Sequence, residues 1–429
     1  MAITNNELSR DWRVLKFKDC IIQLNTGLNP RSNFSLGTGT IKYITAKNLT
    51  KYGTIDFSKC DYINDEAKRI INRRSDIKIG DILLSSRAPI GHCHLIKDEP
   101  KDYDIGESIF SIRVNKKVVL PEYLCLYLAS DFFVKLASKH TTGSIIQEIR
   151  IGDLMGTEVI VPPVDIQESI SRCMSKIYRK IELNDMVNDN LQQQLKLLYD
   201  YWFTQFDFPD ENRKPYKSSG GLMLSNDKVS YKVPADWTVC SVFENPLTTI
   251  IKPGIDVFES KNYLATAEVN GTDISTGAVI DYETRESRAN MQPTVNSVWF
   301  AKMKNSIKHL YLNKEMQELI ANSILSTGFC GLQCTEDSFE YIASFIEHSY
   351  FETLKDTLAH GATQEAVNND DLTGIAFVVP PARILHLFHE STQSMYSQIS
   401  RNICENQELT QLRDWLLPML MNGQAMVQD

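Results

Sequence analysis

The chain has 429 residues, 42% hydrophobic and 23% charged, an ordinary globular balance with room for two or three cores. No apolar run approaches the ~18 residues of a membrane span, Met1–Glu7 lacks the basic-then-apolar pattern of a secretory signal, and nine cysteines without framework spacing fit a reduced setting, so the cytoplasm is the expected location. The net charge of −9 is uneven: residues 1–150 hold 23 Lys and Arg against 17 Asp and Glu, while residues 151–429 hold 22 against 37, which excludes a uniformly basic nucleic-acid binder and leaves local patches.

In chain order, Ile41–Leu49 and Gly80–Ser85 read as short β-rich runs bounded by Gly, Asn and Asp. Between them, Lys68, Arg69, Arg73, Arg74 and Lys78 form a basic run, which suits a solvated helix face as well as a phosphate-facing one. Glu122–Ser138 reads as a helix started by Pro121. Pro162-Pro163 then introduces a long amphipathic helix, with Ile166, Ile170, Cys173, Ile177, Ile181, Asn184, Leu191, Leu195, Leu198 and Trp202 recurring at three- and four-residue steps. The stretch Phe208–Gly221 is rich in Pro, Gly, Ser and charge and marks a boundary.

Displacing the sequence by 218 residues superimposes it on itself. Glu122-Tyr123 meets Glu340-Tyr341, Gly143 meets Gly361, Asp153-Leu154 meets Asp371-Leu372, and Val161-Pro162-Pro163 meets Val379-Pro380-Pro381. The fronts match more loosely: Asp11-Trp12 with Asp236-Trp237, Tyr43-Ile44 with Tyr263-Leu264, and Gly80–Ser85 with Asn296–Ala301. The repeat predicts an α+β fold: two globular units at 1–155 and 230–375, long helices at 160–206 and 380–423, and a linker at 207–229. The second helix carries Ile384, Phe388, Met395, Ile399, Asn402, Leu409 and Leu416, and Pro418 with Asn422-Gly423 is expected to end it. Neither stripe can be covered by one small unit, so the helices are expected to pair antiparallel as an intramolecular coiled coil. Asn184 and Asn402 hold the same stripe position; they either fix register or face a wet gap.

Catalytic motifs are missing from the sequence. Neither Pro-Pro site has the polar acceptor and aromatic of a base-flipping methyltransferase loop, and there is no phosphate-binding loop or complete dinucleotide fingerprint. Cys330, Cys334 and the His92-Cys93-His94 cluster lack the second pair of ligands that structural zinc needs. No metal or cofactor is expected in this chain.

The tandem of unit, Val-Pro-Pro and long helix, with Gly80-Asp81-Ile82-Leu83-Leu84-Ser85-Ser86-Arg87-Ala88-Pro89-Ile90-Gly91 and Ser326-Thr327-Gly328-Phe329, resembles the specificity subunits of type I restriction-modification systems. The resemblance implies a non-catalytic subunit whose two recognition domains each read half of a split double-stranded DNA target, with the helices setting the spacing. It implies two modification (methyltransferase) subunits and restriction subunits as partners, with S-adenosylmethionine, ATP and magnesium bound there. Residues 207–360 carry 14 basic and 21 acidic residues, unfavourable for a phosphate-facing domain. An acidic assembly scaffold in which only the first lobe reads DNA therefore stays open.

Phosphates are met by Lys, Arg and hydroxyl groups and base edges by Arg, Lys, Asn and Gln. The DNA-binding candidates are Lys47, Asn48, Ser85, Ser86, Arg87, Thr141, Thr142 and Ser144 in the first unit, and Lys302, Lys304, His360 and Thr363 in the second.

Overall fold

The computed structural model describes residues 11–50, 53–138, 148–275, 277–362 and 364–425. The chain divides into two compact units, Met1–Glu182 with Leu409–Asp429, and Leu183–Glu408. Both have mixed helix and strand content.

The first unit contains strands β1 (Arg13–Lys16), β2 (Ile21–Thr26), β3 (Ile41–Ile44) and β4 (Asp61–Ile63), helix α1 (Asp65–Ser75), then β5 (Ile82–Ser85), β6 (Cys93–Leu95), β7 (Tyr103–Ile105) and β8 (Ile109–Val114). Helices α2 (Pro121–Ala129), α3 (Asp131–Ser138) and α4 (Ile151–Gly156) follow, then β9 (Glu158–Val161) and the start of α5 (Val164–Tyr199). A four-stranded sheet runs β2-β8-β5-β6, a three-stranded sheet β4-β3-β7, and β1 pairs with β9. The expected single helix at 122–138 breaks at Ser130, which is extended (φ −73°, ψ 148°) and whose hydroxyl donates to the Tyr127 carbonyl.

The second unit contains β10 (Met223–Leu224), β11 (Val233–Pro234), β12 (Thr238–Ser241), β13 (Thr248–Ile250), β14 (Lys261–Leu264), β15 (Val269–Asn270), β16 (Asp273–Ile274), β17 (Ala278–Ile280), β18 (Ala289–Met291), β19 (Ser297–Ala301) and β20 (His309–Leu312). Then come α6 (Gln317–Asn322), β21 (Ser323–Ser326), β22 (Phe329–Cys334), α7 (Phe339–Glu347), α8 (Ser349–Leu358), β23 (Ala376–Val379) and α9 (Ala382–Met421). Its sheets run β13-β22-β19-β20 and β17-β14-β21-β18, with β12 paired to β23.

The two units share one plan. β5 sits between β8 and β6 as β19 sits between β22 and β20, and β3 runs parallel to β7 as β14 does to β21. The buried Tyr123 hydroxyl donates to the Ile160 carbonyl at 2.9 Å; 218 residues on, Tyr341 donates to that of Val378. A buried phenol needs a partner, and this bond ties the helix after the sheet to the strand that precedes the long helix. The units differ in their connections: α1 follows β4 in the first, whereas the second has the β15–β16 hairpin and places α6 between β20 and β21. Residues 207–229 are folded rather than loose, with Phe208 stacked on Tyr216 and Trp237 at 4.7 and 4.9 Å.

In the first unit Ile170, Met174, Ile177 and Ile181 of α5 share a core with Leu417, Leu420 and Met421 of α9. In the second, Leu195, Tyr199 and Trp202 share one with Ile384, Phe388, Tyr396 and Ile399. The start of α5 meets the end of α9 in the first unit, and the end of α5 meets the start of α9 in the second, which is antiparallel pairing. Met174 takes the buried place expected of Cys173, and α9 runs through Pro418 to Met421. The missing N–H of Pro418 does not stop it: the Pro418 carbonyl accepts the Asn422 N–H at 3.1 Å.

Candidate nucleic-acid interface

In each unit four segments converge at one end of the four-stranded sheet. In the first they are the turn at Ala46–Asn48 after β3, the β5–β6 loop, the β7–β8 turn and the segment from Glu148. The Ala46 N–H donates to the Ser108 hydroxyl at 3.0 Å, the Ser86 N–H to the Ser108 carbonyl at 2.9 Å, and the Ile149 N–H to the Ser86 carbonyl at 2.8 Å. Gly91 closes this loop with φ +87°, and a Cβ there would lie 2.4 Å from Val134 of α3, so only glycine fits.

Of the predicted residues here, Lys47 is exposed and Arg87 is about half-buried. Arg87 lies between two carboxylates, Nη1 3.6 Å from Glu107 and Nε 3.4 Å from Glu148. Asn48, Ser85 and Ser86 are shut off from solvent. The Asn48 side chain accepts from the Thr45 N–H and hydroxyl at 2.9 and 3.0 Å and donates to the Asp56 carbonyl at 3.2 Å. Ser85 donates to the Arg87 carbonyl. These three shape the loops, and Lys47 and Arg87 are the members of the set that face outward. Thr141, Thr142 and Ser144 lie outside the described residues.

The second unit repeats the arrangement with the turn at Thr266–Glu268, the β19–β20 loop, the turn between β21 and β22, and the residues 360–362 and 364–367. The Lys302 N–H donates to the Gly328 carbonyl at 2.9 Å and the Val367 N–H to the Lys302 carbonyl at 3.0 Å. Lys302 is half-buried. Lys304 Nζ lies 2.8 Å from Glu365. Lys308 folds inward onto the Thr266 carbonyl. His360 is exposed, with Nδ1 3.5 Å from Asp371 and Nε2 3.3 Å from the Asn368 amide. Thr363 lies outside the described residues.

In the basic run, Lys68 Nζ donates to the carbonyls of Pro100 and Lys101 and so anchors α1. Arg69, Arg73, Arg74 and Lys78 are exposed, with Lys78 3.1 Å from Asp76. Asn64 caps the helix through the Ala67 N–H, and Asp76 ends it at φ +42°.

Three features had no sequence signal. Acidic Glu107, Glu148 and Glu365 stand beside the very cations expected to meet phosphate. Arg113 pairs with Asp81 and Asp76 at 2.8 and 2.9 Å, tying the end of α1 to the four-stranded sheet. Behind the β19–β20 loop, buried His309 lies 3.0 Å from Glu347 and 2.9 Å from Glu352, and fully buried Lys355 pairs with Glu352 at 2.6 Å and donates to the Ser306 carbonyl at 3.1 Å. Burial alone would lower the His309 pKa, but the hydrogen bonds and charges of Glu347 and Glu352 outweigh it and hold it above the usual imidazole value. Position for position the first unit has Cys93 there, its Sγ 3.5 Å from that of Cys125.

Among the described residues no three His, Cys, Asp or Glu side chains gather as round a metal ion. His92 and His94 bond to the carbonyls of Leu49 and Gly53 at 2.6 and 2.7 Å. Burial pushes the Cys330 thiol up to about 12 and Cys334 higher still. Among the described residues no helix is long and apolar enough to cross a membrane.

Two copies of one loop-bearing α+β unit, each packed against a long helix pair, define a tandem-repeat protein. Residues 10–193 match the type I restriction modification DNA specificity domain. The chain is 25% identical to the specificity subunit of the type I restriction enzyme MjaIX of Methanocaldococcus jannaschii, over 99% of its own length and 95% of that relative. It is 23% identical to the HindI specificity subunit of Haemophilus influenzae, over 96% and 99%. Among solved structures, the S subunit of a type I restriction-modification system from M. genitalium is 14% identical over 98% of both chains, with a TM-score of 0.49. Along nearly its whole length the chain is similar to the specificity subunits of type I restriction enzymes, and its first 193 residues hold the match to their DNA specificity domain. That likeness implies a non-catalytic subunit involved in recognising a DNA target.

Proposed function

We propose that this chain reads a bipartite double-stranded DNA target, one half per unit, and docks two modification subunits that methylate it, restriction subunits joining the same complex in the cytoplasm. One observation carries the reading: the same four segments converge at the same sheet end in both units, each presenting a cation on a loop backed by fixed structure. Lys47 and Arg87 in the first unit and Lys302, Lys304 and His360 in the second are the candidate contacts. Such loops place phosphate and base contacts on rigid elements. The paired helices then fix the number of undefined bases between the halves. S-adenosylmethionine, ATP and magnesium belong to the partner subunits, which supply the chemistry.

The test is methylome sequencing of a host carrying this chain and its modification subunit, repeated with residues 230–375 exchanged for those of a relative. A split motif that changes in one half only supports the proposal. A split motif unchanged by the exchange would move the second unit to the acidic scaffold role, a reading favoured by the inward turn of Lys308 and the acidic balance of residues 207–360.

A further inference from the structure

The cation–carboxylate pairs at the two loop clusters repeat in arrangement but not in position. In the first unit the β5–β6 loop bridges to the segment from Glu148 through Arg87 opposite Glu148, fastened by the Ile149 N–H on the Ser86 carbonyl. In the second the β19–β20 loop bridges through Met303 opposite Ala366, fastened by the Val367 N–H on the Lys302 carbonyl. The backbone ladders are equivalent. The charged residues are not: Arg87 corresponds to Met303 and Glu148 to Ala366. Each ladder nevertheless carries one cation on the loop strand and one glutamate on the other, Arg87 with Glu148 at 3.4 Å and Lys304 with Glu365 at 2.8 Å. The side chains stay 34–49% exposed, so neither pair is part of a core.

Exposed pairs of this kind add little to stability. Beside DNA they act differently. A glutamate within reach repels every phosphate alike, so it opposes sequence-independent binding, while a correctly placed base edge or phosphate can displace it. Unfavourable contacts built against the wrong partner are a general route to specificity.

We propose that Glu148 and Glu365 are carboxylate guards: each holds the DNA-facing cation of its unit in an internal pair and releases it only on a matching half-site. The inference rests on the proposed DNA-reading role and adds two specificity-determining residues to it.

The experiment uses the full chain in complex with its modification subunits, with Glu365→Gln, Arg87→Ala and, because Glu107 also lies 3.6 Å from Arg87, Glu148→Gln combined with Glu107→Gln. Binding to a target duplex and to a random-sequence duplex is measured between 50 and 200 mM salt, the range over which phosphate contacts are resolved. Each Gln variant should tighten random-duplex binding by about 3–10-fold at the low-salt end, and steepen the slope of log K against log salt by about one unit, as expected for one freed cation. Target binding should change less, so the ratio of target to random affinity falls. If the Gln variants bind random DNA as the parent does while Arg87→Ala loses target affinity, the guard role is overturned and the DNA-reading role stands. If Arg87→Ala also binds both duplexes unchanged, Arg87 contacts no DNA and both readings of the first unit fall.

Discussion

Asn402 donates from Nδ2 to Oδ1 of Asn188 at 2.8 Å, and Asn184 gives the same bond to Asn406 at 2.9 Å. Asn402 and Asn406 are the repeat partners of Asn184 and Asn188, so one contact is made twice with the roles of the helices exchanged. Asn184 also donates to Glu405 at 2.8 Å, and Asn406 to Asp185 at 2.7 Å. The result is a polar layer whose two reciprocal amide bonds are both made in this register, because sliding either helix by a turn would leave at most one Asn opposite another Asn.

Asn402→Ala should therefore destabilise the chain by about 1–3 kcal/mol, since it leaves the Asn188 amide buried without its donor. Asn188→Leu with Asn402→Leu should recover most of that loss and loosen register. Urea unfolding of Asn188→Leu, Asn402→Leu and the double gives the coupling energy. Additive singles would mean that the layer makes no joint contribution.

The apolar frame of this arrangement was legible in the sequence because repeat and helical period reinforce each other. Tyr123 and Tyr341 fell in one register, and both close the same buried bond. The orientation of polar residues at the ends of strands was not legible. Asn48, Ser85 and Ser86 have the composition of a surface loop, yet Asn48 turns in to Thr45 and the Asp56 carbonyl, Ser85 to the Arg87 carbonyl, and Ser86 is held in by its backbone bonds to Ser108 and Ile149. Lys355 of α8 is buried because Glu352 and the Ser306 carbonyl satisfy its ammonium. The candidate site was legible only as loops: Lys47 and Arg87 face outward, but the glutamates beside Arg87 and Lys304 come from segments remote in sequence.

His309 gives a pH dependence with a definite sign. Its folded pKa is raised, so its contribution to stability is full below the unfolded value of about 6.5 and is lost as pH rises through the folded value. The groups facing it are Glu347 on α7 and Glu352 with Lys355 on α8, with Tyr311 beside it on β20 donating to Glu347. Glu347 is shifted down, desolvation being outweighed by His309; its contribution is lost only on acidification, below this window. Urea midpoints between pH 6 and 9 should fall more steeply for the parent than for His309→Gln. Parallel profiles would remove His309 from the balance.

Arg113 anchors a second charged cluster. Its guanidinium grips the almost fully buried Asp81 with Nε and Nη2 at 3.0 and 2.8 Å, and Gln23 accepts from it at 2.8 Å. Arg113→Met should cost about 3 kcal/mol, the low end for a broken buried pair because Arg113 itself is partly exposed. Adding Asp81→Asn removes the stranded charge and should restore part of the loss. A double variant no more stable than the single would mean that Asp81 is solvated once Arg113 is gone.

The two basic regions of the first unit should behave differently toward DNA. Arg87 stands on a loop fastened to three other segments, so it can hold the fixed geometry that reading a base requires. Arg73 and Arg74 lie on the exposed face of α1, where long side chains meet phosphates without selecting sequence. Arg87→Ala should weaken target binding by about 1–3 kcal/mol and relax one position of the motif. Arg73→Gln with Arg74→Gln should weaken target and random duplexes alike and flatten the salt slope by about one unit for each phosphate no longer neutralised. Equilibrium binding across a salt series, with a panel of single-base substitutions in the target, separates the two. If Arg87→Ala flattens the slope while leaving the panel unchanged, Arg87 meets a phosphate and the base reading of that half lies elsewhere on the loop cluster.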